Sequence, residues 1–324
     1  MKVSVLIVSF NTRDLTLACL RSVLQQTRRV PNEVIVVDNG STDGSAEAIG
    51  RSFPTVMLIA AGRNLGFAAA NNLAAQHATG DHLLLLNPDT VVLGGAIERL
   101  CKLADGHPDA GIYGGRTLFA DGRLNPASCW GQPTVWSTVC RATGLAVLFK
   151  GSRFFDPEPM AWWARDDERE VGIVSGCFLL IRQDVWKALG GFDTSFFMYG
   201  EDFDLCMRAR KNGWRPRITP AAAIVHYGGA SDRAVADQTV RQFKAKAHLF
   251  ARHWDPLRAW ILVRMLDLWA LRRVILATVR PGRTEVERER RQAWNAVWRR
   301  RHEWHLAPQR PSAATEDRLI GPTI

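Results

Sequence analysis

Short apolar runs alternate with helix-like segments through the first ninety residues of the chain. The runs have the length and composition of buried strands and occupy residues 3–9, 33–38, 56–60 and 82–86. Segments with helical spacing or helix-capping residues separate them, at residues 14–26, 43–50 and 66–79. Strands that are apolar on both faces and alternate with helices are typical of a parallel sheet covered on both sides. The pattern predicts an α/β fold whose first half is a doubly wound, nucleotide-binding sheet.

Polar side chains follow each of the four predicted strands, at the point where the strand ends. They are Ser9 and Asn11, then Asp38, Asn39, Ser41 and Asp43, then Arg63 and Asn64, and finally Asn87 and Asp89. Turns and helix caps favour the same residue types, so one such cluster would indicate little. Four consecutive clusters favour a ligand site, because open α/β sheets bind ligands just outside the carboxyl ends of their strands.

Two segments that carry carboxylates suggest the kind of ligand. Asp89 closely follows the apolar run 83–86, and Glu201, Asp202 and Asp204 open a later helical pattern. This arrangement suggests a metal-bound polyphosphate together with a separate base. The chain has no Gly-x-x-x-x-Gly-Lys-Ser/Thr loop and no Gly-x-Gly-x-x-Gly after the first strand. Neither a P-loop NTPase nor a dinucleotide dehydrogenase therefore fits.

The net charge of +10 is concentrated at the C-terminal end of the 324-residue chain. Residues 1–240 contain 24 Lys/Arg and 24 Asp/Glu, whereas residues 241–324 contain 18 Lys/Arg and 8 Asp/Glu. Six of the 12 tryptophans also lie in the second range. A basic, tryptophan-rich tail on a neutral body suggests an anionic partner, either a membrane surface or nucleic acid. No recognised nucleic-acid-binding fold accompanies the charge, which favours the membrane surface.

The first predicted helix of the tail covers residues 257–279 and is largely apolar. Five charged residues interrupt it: Arg258, Arg264, Asp267, Arg272 and Arg273. Each would cost about 2.5–3.5 kcal/mol at the centre of a bilayer, which argues against a helix that spans the membrane. Arg264 and Asp267 are three residues apart on the helix and are expected to form an ion pair.

The second predicted helix of the tail, residues 284–305, is basic and carries Trp294, Trp298 and Trp304. Tryptophans beside arginines are typical of an amphipathic helix that lies in a membrane interface. Packing of the helix against the catalytic body and a homodimer contact are the alternatives. Residues 308–324 contain three prolines and are expected to be disordered.

Cysteine usage and the absence of targeting signals bear on the compartment. The six cysteines contain no Cys-x-x-Cys pair and are Cys19, Cys101, Cys129, Cys140, Cys177 and Cys206. This spacing indicates neither a zinc site nor a disulfide framework, and reduced thiols in the cytosol are the simplest interpretation. No signal-peptide cleavage pattern and no uncharged apolar stretch of 18 residues is present. We therefore expect a cytoplasmic protein, held peripherally on the inner face of the cytoplasmic membrane.

Seven short motifs occur in a fixed order along residues 1–235. They are V-V-D-N-G-S-T-D at 36–43, R-N-L-G-F-A-A-A-N-N at 63–72, L-L-N-P-D at 85–89, S-G-C-F-L-L-I at 175–181, G-G-F-D at 190–193, F-M-Y-G-E-D-F-D-L-C-M-R at 197–208 and H-Y-G-G-A-S at 226–231. The set resembles the family 2 glycosyltransferases of the GT-A fold, and especially their bacterial rhamnosyltransferase-like branch. The resemblance implies a GT-A domain over residues 1–235, with a nucleotide-sugar half (1–118) and a mixed-sheet acceptor half (119–235). A helical tail would follow at residues 236–307.

The resemblance implies a donor site at the strand ends. Asp38 would accept a hydrogen bond from the N3–H of a uracil or thymine ring. The other donor-binding residues would be Ser9, Asn11, Asn39, Arg63, Asn64 and Asn87. The metal motif of the family, Asp-x-Asp, is reduced here to Asn87-Pro88-Asp89, which leaves one carboxylate for Mg²⁺ or Mn²⁺. His226 would be the second ligand, and a histidine that is merely hydrogen-bonded at a strand end is the alternative.

The resemblance also implies a general base and an acceptor side. Asp202 would be the base, with its neighbour Glu201 as the alternative, or these acids only cap a helix. The helix N-terminus would favour the ionised form, whereas the adjacent carboxylates would raise the pKa. Acceptor contacts would come from Trp130, Trp162, Trp163, Gly176 and Cys177. The tryptophans lie in a predicted irregular segment, 119–173, and would either stack on sugar rings or pack in the core.

Together these residues predict an inverting glycosyltransferase that uses a divalent metal. The donor expected from the resemblance is dTDP-rhamnose, with a UDP-hexose or UDP-galactofuranose as alternatives, and the acceptor is a hydroxyl of a lipid-linked or cell-envelope saccharide. Two other classes of function stay open. A sugar-1-phosphate nucleotidyltransferase would need a Gly-rich, Arg-containing loop where the chain has Ser9-Phe10-Asn11-Thr12. A non-catalytic nucleotide-sugar binder would keep Asp38 and Asp89 but would not need Asp202.

Overall fold

The computed structural model describes residues 1–27, 29–228, 235–279 and 284–305. In these ranges the strands are β1 (Val3–Ser9), β2 (Asn32–Asp38), β3 (Met57–Ala60), β4 (His82–Leu86), β5 (Thr90–Val92), β6 (Ile112–Leu118), β7 (Leu124–Asn125), β8 (Cys129–Trp130), β9 (Arg169–Glu170), β10 (Ile173–Val174), β11 (Phe178–Arg182) and β12 (Arg217–His226). The helices are α1 (Arg13–Gln26), α2 (Ser45–Ser52), α3 (Phe67–Gln76), α4 (Ala96–Gly106), α5 (Val135–Thr143), α6 (Leu145–Leu148), α7 (Gln183–Ala188), α8 (Glu201–Lys211), α9 (Val235–His253), α10 (Pro256–Val279), α11 (Glu285–Arg299) and α12 (His302–His305).

One mixed sheet forms the centre of the N-terminal part of the molecule. Its strand order is β3-β2-β1-β4-β11-β6-β12-β5, with β7 beside β6 and β9 beside β12. Strands β1 to β4 are parallel, and β11 runs antiparallel to both of its neighbours, β4 and β6. Strand β12 is parallel to β6. Because β11 alone is reversed between them, the carboxyl ends of β1, β2, β4 and β12 lie at one edge of the sheet.

Burial on both faces explains why the central strands are apolar throughout. All seven residues of β1 are buried, as are residues 83–86 of β4. The sheet packs against buried side chains such as Leu20 of α1, Ile49 of α2 and Leu100 of α4. A strand covered on both faces has no solvent side on which polar residues would be favoured. The predicted mixed α/β architecture with a doubly wound half is confirmed.

The strand and helix ranges follow the sequence pattern closely in this half. The four predicted strands agree with β1 to β4 to within one residue at each end. The Ala-rich helix α3 is shorter than predicted, ending at Gln76 rather than at residue 79. The segment 119–173, predicted to be irregular, contains the helices α5 and α6 and several two-residue strands. The predicted disordered segment 308–324 lies outside the described residues.

Packing divides the chain into two compact units. The first comprises residues 1–133 and 146–233, and the second comprises residues 134–145 and 234–324. A boundary near residue 235 was expected from the sequence. The sequence did not predict that residues 134–145, which contain α5, belong with the C-terminal helices.

Aromatic packing holds the second unit together. Val240, Phe243 and Phe250 of α9 share one cluster with residues of α10, with Val297 of α11 and with Trp304 of α12. The Trp304 ring is fully buried and lies edge-on to Phe243, with 5.1 Å between the ring centroids. Its indole Nε1 donates to Asp267 Oδ1 at 2.9 Å. The buried indole therefore connects α12 to both α9 and α10.

The role predicted for the tryptophans of the second tail helix is wrong for Trp304. Its side chain has no exposed surface to place in a membrane interface, and Trp294 and Trp298 are half-buried against the same cluster. These side chains pack on α9 and α10 of the same unit, which neither the membrane prediction nor the alternatives had described. The predicted ion pair between Arg264 and Asp267 is confirmed at 3.2 Å. No helix in the described part of the chain is both long and apolar enough to cross a membrane.

Truncation of Trp304 tests the packing of the second unit. Trp304→Ala should lower the free energy of unfolding of this unit by about 3–5 kcal/mol, because it leaves a large cavity and removes a buried hydrogen bond. Trp260→Ala is the control, since Trp260 is 60% exposed on α10. Urea titration of the full chain, followed by near-UV circular dichroism, measures both. Equal effects of the two substitutions would contradict the packing described here.

Candidate active site

Asp89, Asn87 and His226 converge where β4 and β12 end. The backbone pairs His226, the last residue of β12, with Thr90, the first residue of β5. This register places His226 Nε2 3.3 Å from Asp89 Oδ1 and 3.4 Å from Asn87 Nδ2. The amide of Tyr227 donates to the Asp89 carbonyl at 3.0 Å and fixes the two segments together. Two residues that are 137 positions apart in sequence thus form one cluster.

The donor atoms of this cluster fit a divalent cation. Asn87 Oδ1 and His226 Nδ1 are buried and have no hydrogen-bond partner among the described residues. Two ligands of an octahedral ion, each about 2.1 Å from it, lie roughly 3 Å apart, close to the separation of Asp89 Oδ1 and His226 Nε2. The described residues contain no group of three His, Cys, Asp or Glu side chains arranged to hold a metal ion. An ion held here would take its other ligands from phosphate oxygens and water, as Mg²⁺ commonly does.

The local charge favours a cation at this cluster. Burial alone would lower the pKa of His226, but its contact with the Asp89 carboxylate and the nearby Cys177 side chain outweigh that effect and raise the pKa to about 10. The raised pKa means that the surroundings of the imidazole are negatively charged. The same negative environment would attract a metal ion in place of the proton.

Asp38 keeps a hydrogen-bond acceptor available at the end of β2. The side chain is 4% exposed. Its Oδ2 accepts from the Ser41 amide at 3.1 Å, whereas Oδ1 is buried without a partner in the described structure. A buried carboxylate oxygen without a donor is costly, so a ligand that donates a hydrogen bond there would be stabilised.

The other residues predicted at the donor site bond mainly to one another. The Asn39 amide group donates to Asn64 Oδ1 (3.1 Å) and Gly66 O (3.4 Å), and its Oδ1 accepts from the Leu65 amide (2.8 Å). Ser9 is fully buried and its hydroxyl lies 3.0 Å from that of Thr16. These groups hold the strand-end loops in place and have little capacity left for a ligand.

Asn11 and Arg63 lie at the rim of this region. Asn11 Oδ1 accepts from the Thr42 amide at 2.8 Å, in a backbone conformation with φ of +52°. Arg63 is exposed, and its backbone passes so close to Gly40 that a Cβ there would lie 2.8 Å from it. Gly40 also has φ of +81°, which an L side chain rarely adopts. The donor side therefore has a close backbone crossing that only glycine fits.

The three acids that open α8 have different surroundings. Asp204 is fully buried and bonds to Arg208 at 2.7 Å. Glu201 is 6% exposed, and its Oε2 is buried without a partner among the described residues. Asp202 is half-buried and accepts from the Gly176 amide at 3.0 Å. Asp204 is thus committed to an ion pair, and Asp202 is the more accessible of the other two.

Burial shifts the acidity of both remaining carboxyl groups. It raises the pKa of Glu201 to about 8, with a further contribution from the negative charge of Asp202. Burial also raises the pKa of Asp202, although hydrogen bonds from the Gly176 and Phe203 amides oppose this shift. A carboxylate whose pKa is raised is a stronger proton acceptor than an ordinary aspartate.

The backbone amide of Gly176 holds Asp202 at the site. A Cβ on Gly176 would make only ordinary contacts, 3.4 Å from the Phe67 ring and 3.7 Å from Asp202 Cβ. The next residue, Cys177, is 4% exposed, and its carbonyl accepts from the Asn87 amide at 3.1 Å. The dipeptide at 176–177 therefore links the start of α8 to the end of β4. These contacts give the dipeptide a structural role.

The tryptophans predicted to contact an acceptor are not all near this edge of the sheet. Trp130 is half-buried and lies 6.3 Å from the ring of Phe203, next to Asp202. Trp163 is 5% exposed, and both Trp162 and Trp163 stack near Arg169. Arg169 pairs with the N-terminal end of β12, opposite to the end that carries His226. Trp130 therefore lies beside the start of α8, whereas Trp162 and Trp163 contact an arginine near the other edge of the sheet.

Arg165 is a buried residue that sequence patterns did not single out. It is 1% exposed, and its guanidinium donates to the carbonyls of Trp163 (3.0 Å), Pro159 (2.9 Å) and Pro126 (3.2 Å). An arginine among loop acids normally indicates a solvated surface, so only the structure reveals this role. It ties the acceptor-side segment to the strand that carries Trp130.

Comparison with known proteins identifies the family and agrees with the fold. The family model described as "Glycosyltransferase like family 2" matches residues 1–246. The N-acetylglucosaminyl-diphospho-decaprenol L-rhamnosyltransferase of Mycobacterium tuberculosis is 33% identical over 224 residues, which are 64% of this chain and 70% of the relative. The O-antigen biosynthesis protein RfbC of Myxococcus xanthus is 30% identical over 246 residues, 72% of this chain and 18% of that protein.

Two solved structures show the same architecture. The mannosyltransferase PcManGT from Pyrobaculum calidifontis, in complex with GDP-Man and Mn²⁺, has a TM-score of 0.56 at 19% identity, over 93% of this chain and 86% of that one. S. aureus TarS 1-349 in complex with UDP-GlcNAc has a TM-score of 0.52 at 15% identity, over 95% and 93% of the two chains. At these identities the structures support the fold alone. The family match and the sequence relatives show that this chain belongs to glycosyltransferase family 2, with the GT-A fold.

Proposed function

We propose that the protein transfers a sugar, with inversion, from a nucleoside diphosphate sugar to a hydroxyl of a lipid-linked or cell-envelope saccharide. The observation that carries this proposal is the position of Asp202. Its carboxylate is partly accessible at the start of α8 and is tethered through Gly176 to the segment that contacts Asn87. A base therefore stands at the same edge of the sheet as the residues that would hold a diphosphate.

The chemistry is a single displacement. Asp202 accepts the proton of the acceptor hydroxyl while that oxygen forms a bond to the anomeric carbon. The bond from the anomeric carbon to the diphosphate oxygen breaks at the same time, and its electron pair leaves with the nucleoside diphosphate. Attack from the side opposite to the leaving group inverts the configuration. A single base at the acceptor side is sufficient, since no covalent enzyme intermediate is formed.

Asp89 and His226 would hold Mg²⁺ or Mn²⁺, with Asn87 beside them. The bound ion would neutralise the charge that develops on the leaving diphosphate. One carboxylate and one imidazole form a weak site, so ion and donor should bind together, each supplying ligands or charge for the other. Imidazole ligation favours Mn²⁺ over Mg²⁺.

The donor proposed is dTDP-rhamnose. Asp38 Oδ1 offers a buried acceptor for the N3–H that both thymine and uracil present. The choice of rhamnose rests on the relative from Mycobacterium tuberculosis, which is named as a rhamnosyltransferase acting on a diphospho-decaprenol substrate. The same relative supports a lipid-linked acceptor, and hence a location on the inner face of the cytoplasmic membrane.

A panel of nucleotide sugars tests the proposed reaction. Purified protein is mixed with dTDP-rhamnose, UDP-hexoses or UDP-galactofuranose, with and without Mn²⁺, and scored for thermal shift and donor hydrolysis. We expect the largest response with dTDP-rhamnose and Mn²⁺. A response to UDP-galactofuranose alone would show that the donor is UDP-galactofuranose and not dTDP-rhamnose. Binding without hydrolysis or transfer would support a non-catalytic binder, and activity only with a sugar 1-phosphate and a nucleoside triphosphate would support a nucleotidyltransferase.

Removal of the Asp89 carboxylate should abolish divalent-dependent binding of a nucleoside diphosphate. Asp89→Ala removes one of the two protein ligands and leaves His226 without its carboxylate partner. Calorimetry with dTDP, in the presence and absence of Mn²⁺, measures the effect. Asp121→Ala, in the exposed turn after β6, is the control and should bind as the native protein does. Unchanged metal-dependent affinity of Asp89→Ala would refute the assignment.

Replacement of the base should affect turnover and spare donor binding. Asp202→Asn is expected to lower kcat by roughly 10²–10⁴, the range for a positioned general base. In the native protein kcat/KM should fall as the pH drops through the raised pKa of Asp202, because the protonated carboxyl cannot accept a proton. The residual activity of Asp202→Asn should lack this acidic limb. Full activity of Asp202→Asn together with an inactive Glu201→Gln would assign the base to Glu201 instead.

The raised pKa of Glu201 predicts a pH-dependent effect on stability, which can be measured independently of catalytic activity. A carboxyl whose pKa rises from 4.5 to about 8 on folding binds its proton more tightly in the folded state. Its favourable contribution is complete below pH 4.5 and is lost as the pH rises towards 8. Glu201→Gln should therefore raise the Tm by a few degrees at pH 9 and leave it unchanged at pH 4. A lower Tm at pH 9 would show that the ionised form is stabilised.

A further inference from the structure

The outward side of α10 carries an exposed apolar stripe, which Arg264 interrupts near its middle. We call it the outer stripe, and its residues are Leu257, Trp260, Ile261, Leu268, Leu271, Ile275 and Val279. Each of these side chains is between 37% and 73% exposed. At 100° per residue they fall within an arc of about 100° and extend over about 33 Å along the helix.

The opposite side of α10 is apolar as well, because it packs in the second unit. Ala259, Leu262, Leu266 and Ala270 are buried there, in the cluster that contains Trp304. A surface helix of a soluble protein normally has one apolar side and one polar side, and a helix that is apolar all round is normally covered all round. Contacts within the second unit cover only the apolar residues on the buried side of α10. The outer stripe stays exposed, so a partner is needed to cover it.

Arg264 and Trp260, which lie within the arc of the outer stripe, are residue types that favour the headgroup layer of a membrane. Arg264 lies within the arc, stacks on Trp260 at 5.8 Å and pairs with Asp267. An arginine in this position can bury its aliphatic stem and keep its charged end in the headgroup layer. Trp260 is 60% exposed, and tryptophan favours the boundary between water and hydrocarbon.

The charge of the second unit complements an anionic surface. Its described residues contain 15 Lys/Arg and 7 Asp/Glu. On α11 the exposed basic residues are Arg288, Arg290, Arg291 and Arg299. A positive unit is attracted to anionic lipid by about 1 kcal/mol for each basic residue near the surface.

We propose that the outer stripe of α10 docks on an anionic lipid bilayer, with the helix lying along the surface. The biological purpose of this docking, the capture of a lipid-linked acceptor, rests on the proposed function. The physical argument for docking rests only on the exposure and charge of the second unit. It also relocates the membrane contact expected from the sequence, from the tryptophans of α11 and α12 to α10. Charged residues along α10, such as Arg264 and Asp267, would have to enter the hydrocarbon if the helix crossed the bilayer, which favours the surface orientation.

A second copy of the chain fits the outer stripe less well. Stable dimers bury about 800 Å² on each partner and involve roughly 20–30 residues a side, whereas the stripe has seven. Two copies would also bring two positively charged units together, which costs free energy. An anionic bilayer has neither disadvantage.

Cysteine labelling tests the contact directly, because all six native cysteines are buried. Leu268→Cys in the full chain is labelled with an environment-sensitive fluorophore and mixed with vesicles of phosphatidylglycerol and phosphatidylcholine in equal parts. We expect a blue shift of the emission, and a smaller shift with pure phosphatidylcholine or at 1 M salt. Val286→Cys, on a residue of α11 that is 66% exposed, is the matched control and should respond less. Equal shifts at both positions would overturn the assignment to α10.

A second variant tests whether the stripe is required. Leu268→Glu combined with Ile275→Glu should reduce co-sedimentation with the anionic vesicles at least about tenfold, because two apolar contacts become anionic. Val286→Glu should bind nearly as the native protein does, and the Tm of each variant shows that it is folded. Native-like binding by the double variant would overturn the proposal.

Other occupants of the stripe give distinct outcomes that would also overturn it. If the native protein is a dimer in solution and the double variant a monomer that still binds vesicles, a second copy covers the stripe. If the thiol introduced by Leu268→Cys is labelled slowly in a monomeric sample without vesicles, a segment of the chain covers it. Vesicle binding is measured without nucleotide sugar or acceptor. Failure of the proposed transfer reaction would therefore leave this test unaffected, and lack of vesicle binding would leave the assignment of Asp202 unaffected.

Discussion

The pairing of β11 between β4 and β6, in the opposite direction to both, is the constraint on which the site depends. A reversed strand starts where its neighbours end, so Gly176 and Cys177 arrive at the carboxyl end of β4. There the Cys177 carbonyl accepts from the Asn87 amide, and the Gly176 amide donates to Asp202. A parallel strand in this place would put the same dipeptide at the other edge of the sheet. One reversal thus joins the first half of the sheet to the helix that carries Asp202, the proposed base.

Surroundings, rather than residue type, distinguish the acids of this protein. Asp204 is neutralised by Arg208, Glu201 is buried with a raised pKa, and Asp202 keeps partial access and two amide donors. Asp38 and Asp89 are both buried, but one accepts from a loop amide and the other contacts a histidine. Side chains of one chemical kind therefore have three different environments at one edge of the sheet, which fit the structural role of Asp204 and the roles proposed for Asp202 and Asp89.

Periodicity predicted the first four strands because those strands are buried on both faces, which leaves an unambiguous apolar run. The same signal failed for α5, whose packing partners lie more than a hundred residues away in α10. The pairing of Asp89 with His226 could be anticipated only from the motif resemblance, since a contact across 137 residues leaves no local pattern. Trp304 shows the opposite error, because a tryptophan among arginines predicts an interface whether its ring points to lipid or into a core.

The burial of Arg165 has a consequence for how the acceptor side can change. Its guanidinium has no carboxylate partner among the bonds described, so hydrogen bonds to the carbonyls of Trp163, Pro159 and Pro126 together stabilise the buried positive charge. Opening any part of this segment would expose the guanidinium and leave several carbonyl oxygens without a hydrogen-bond donor at once. Small loop fluctuations are thereby suppressed in favour of an all-or-none rearrangement. A new binding preference of this segment would then evolve by exchange of side chains on a fixed backbone, and not by loosening of the backbone itself.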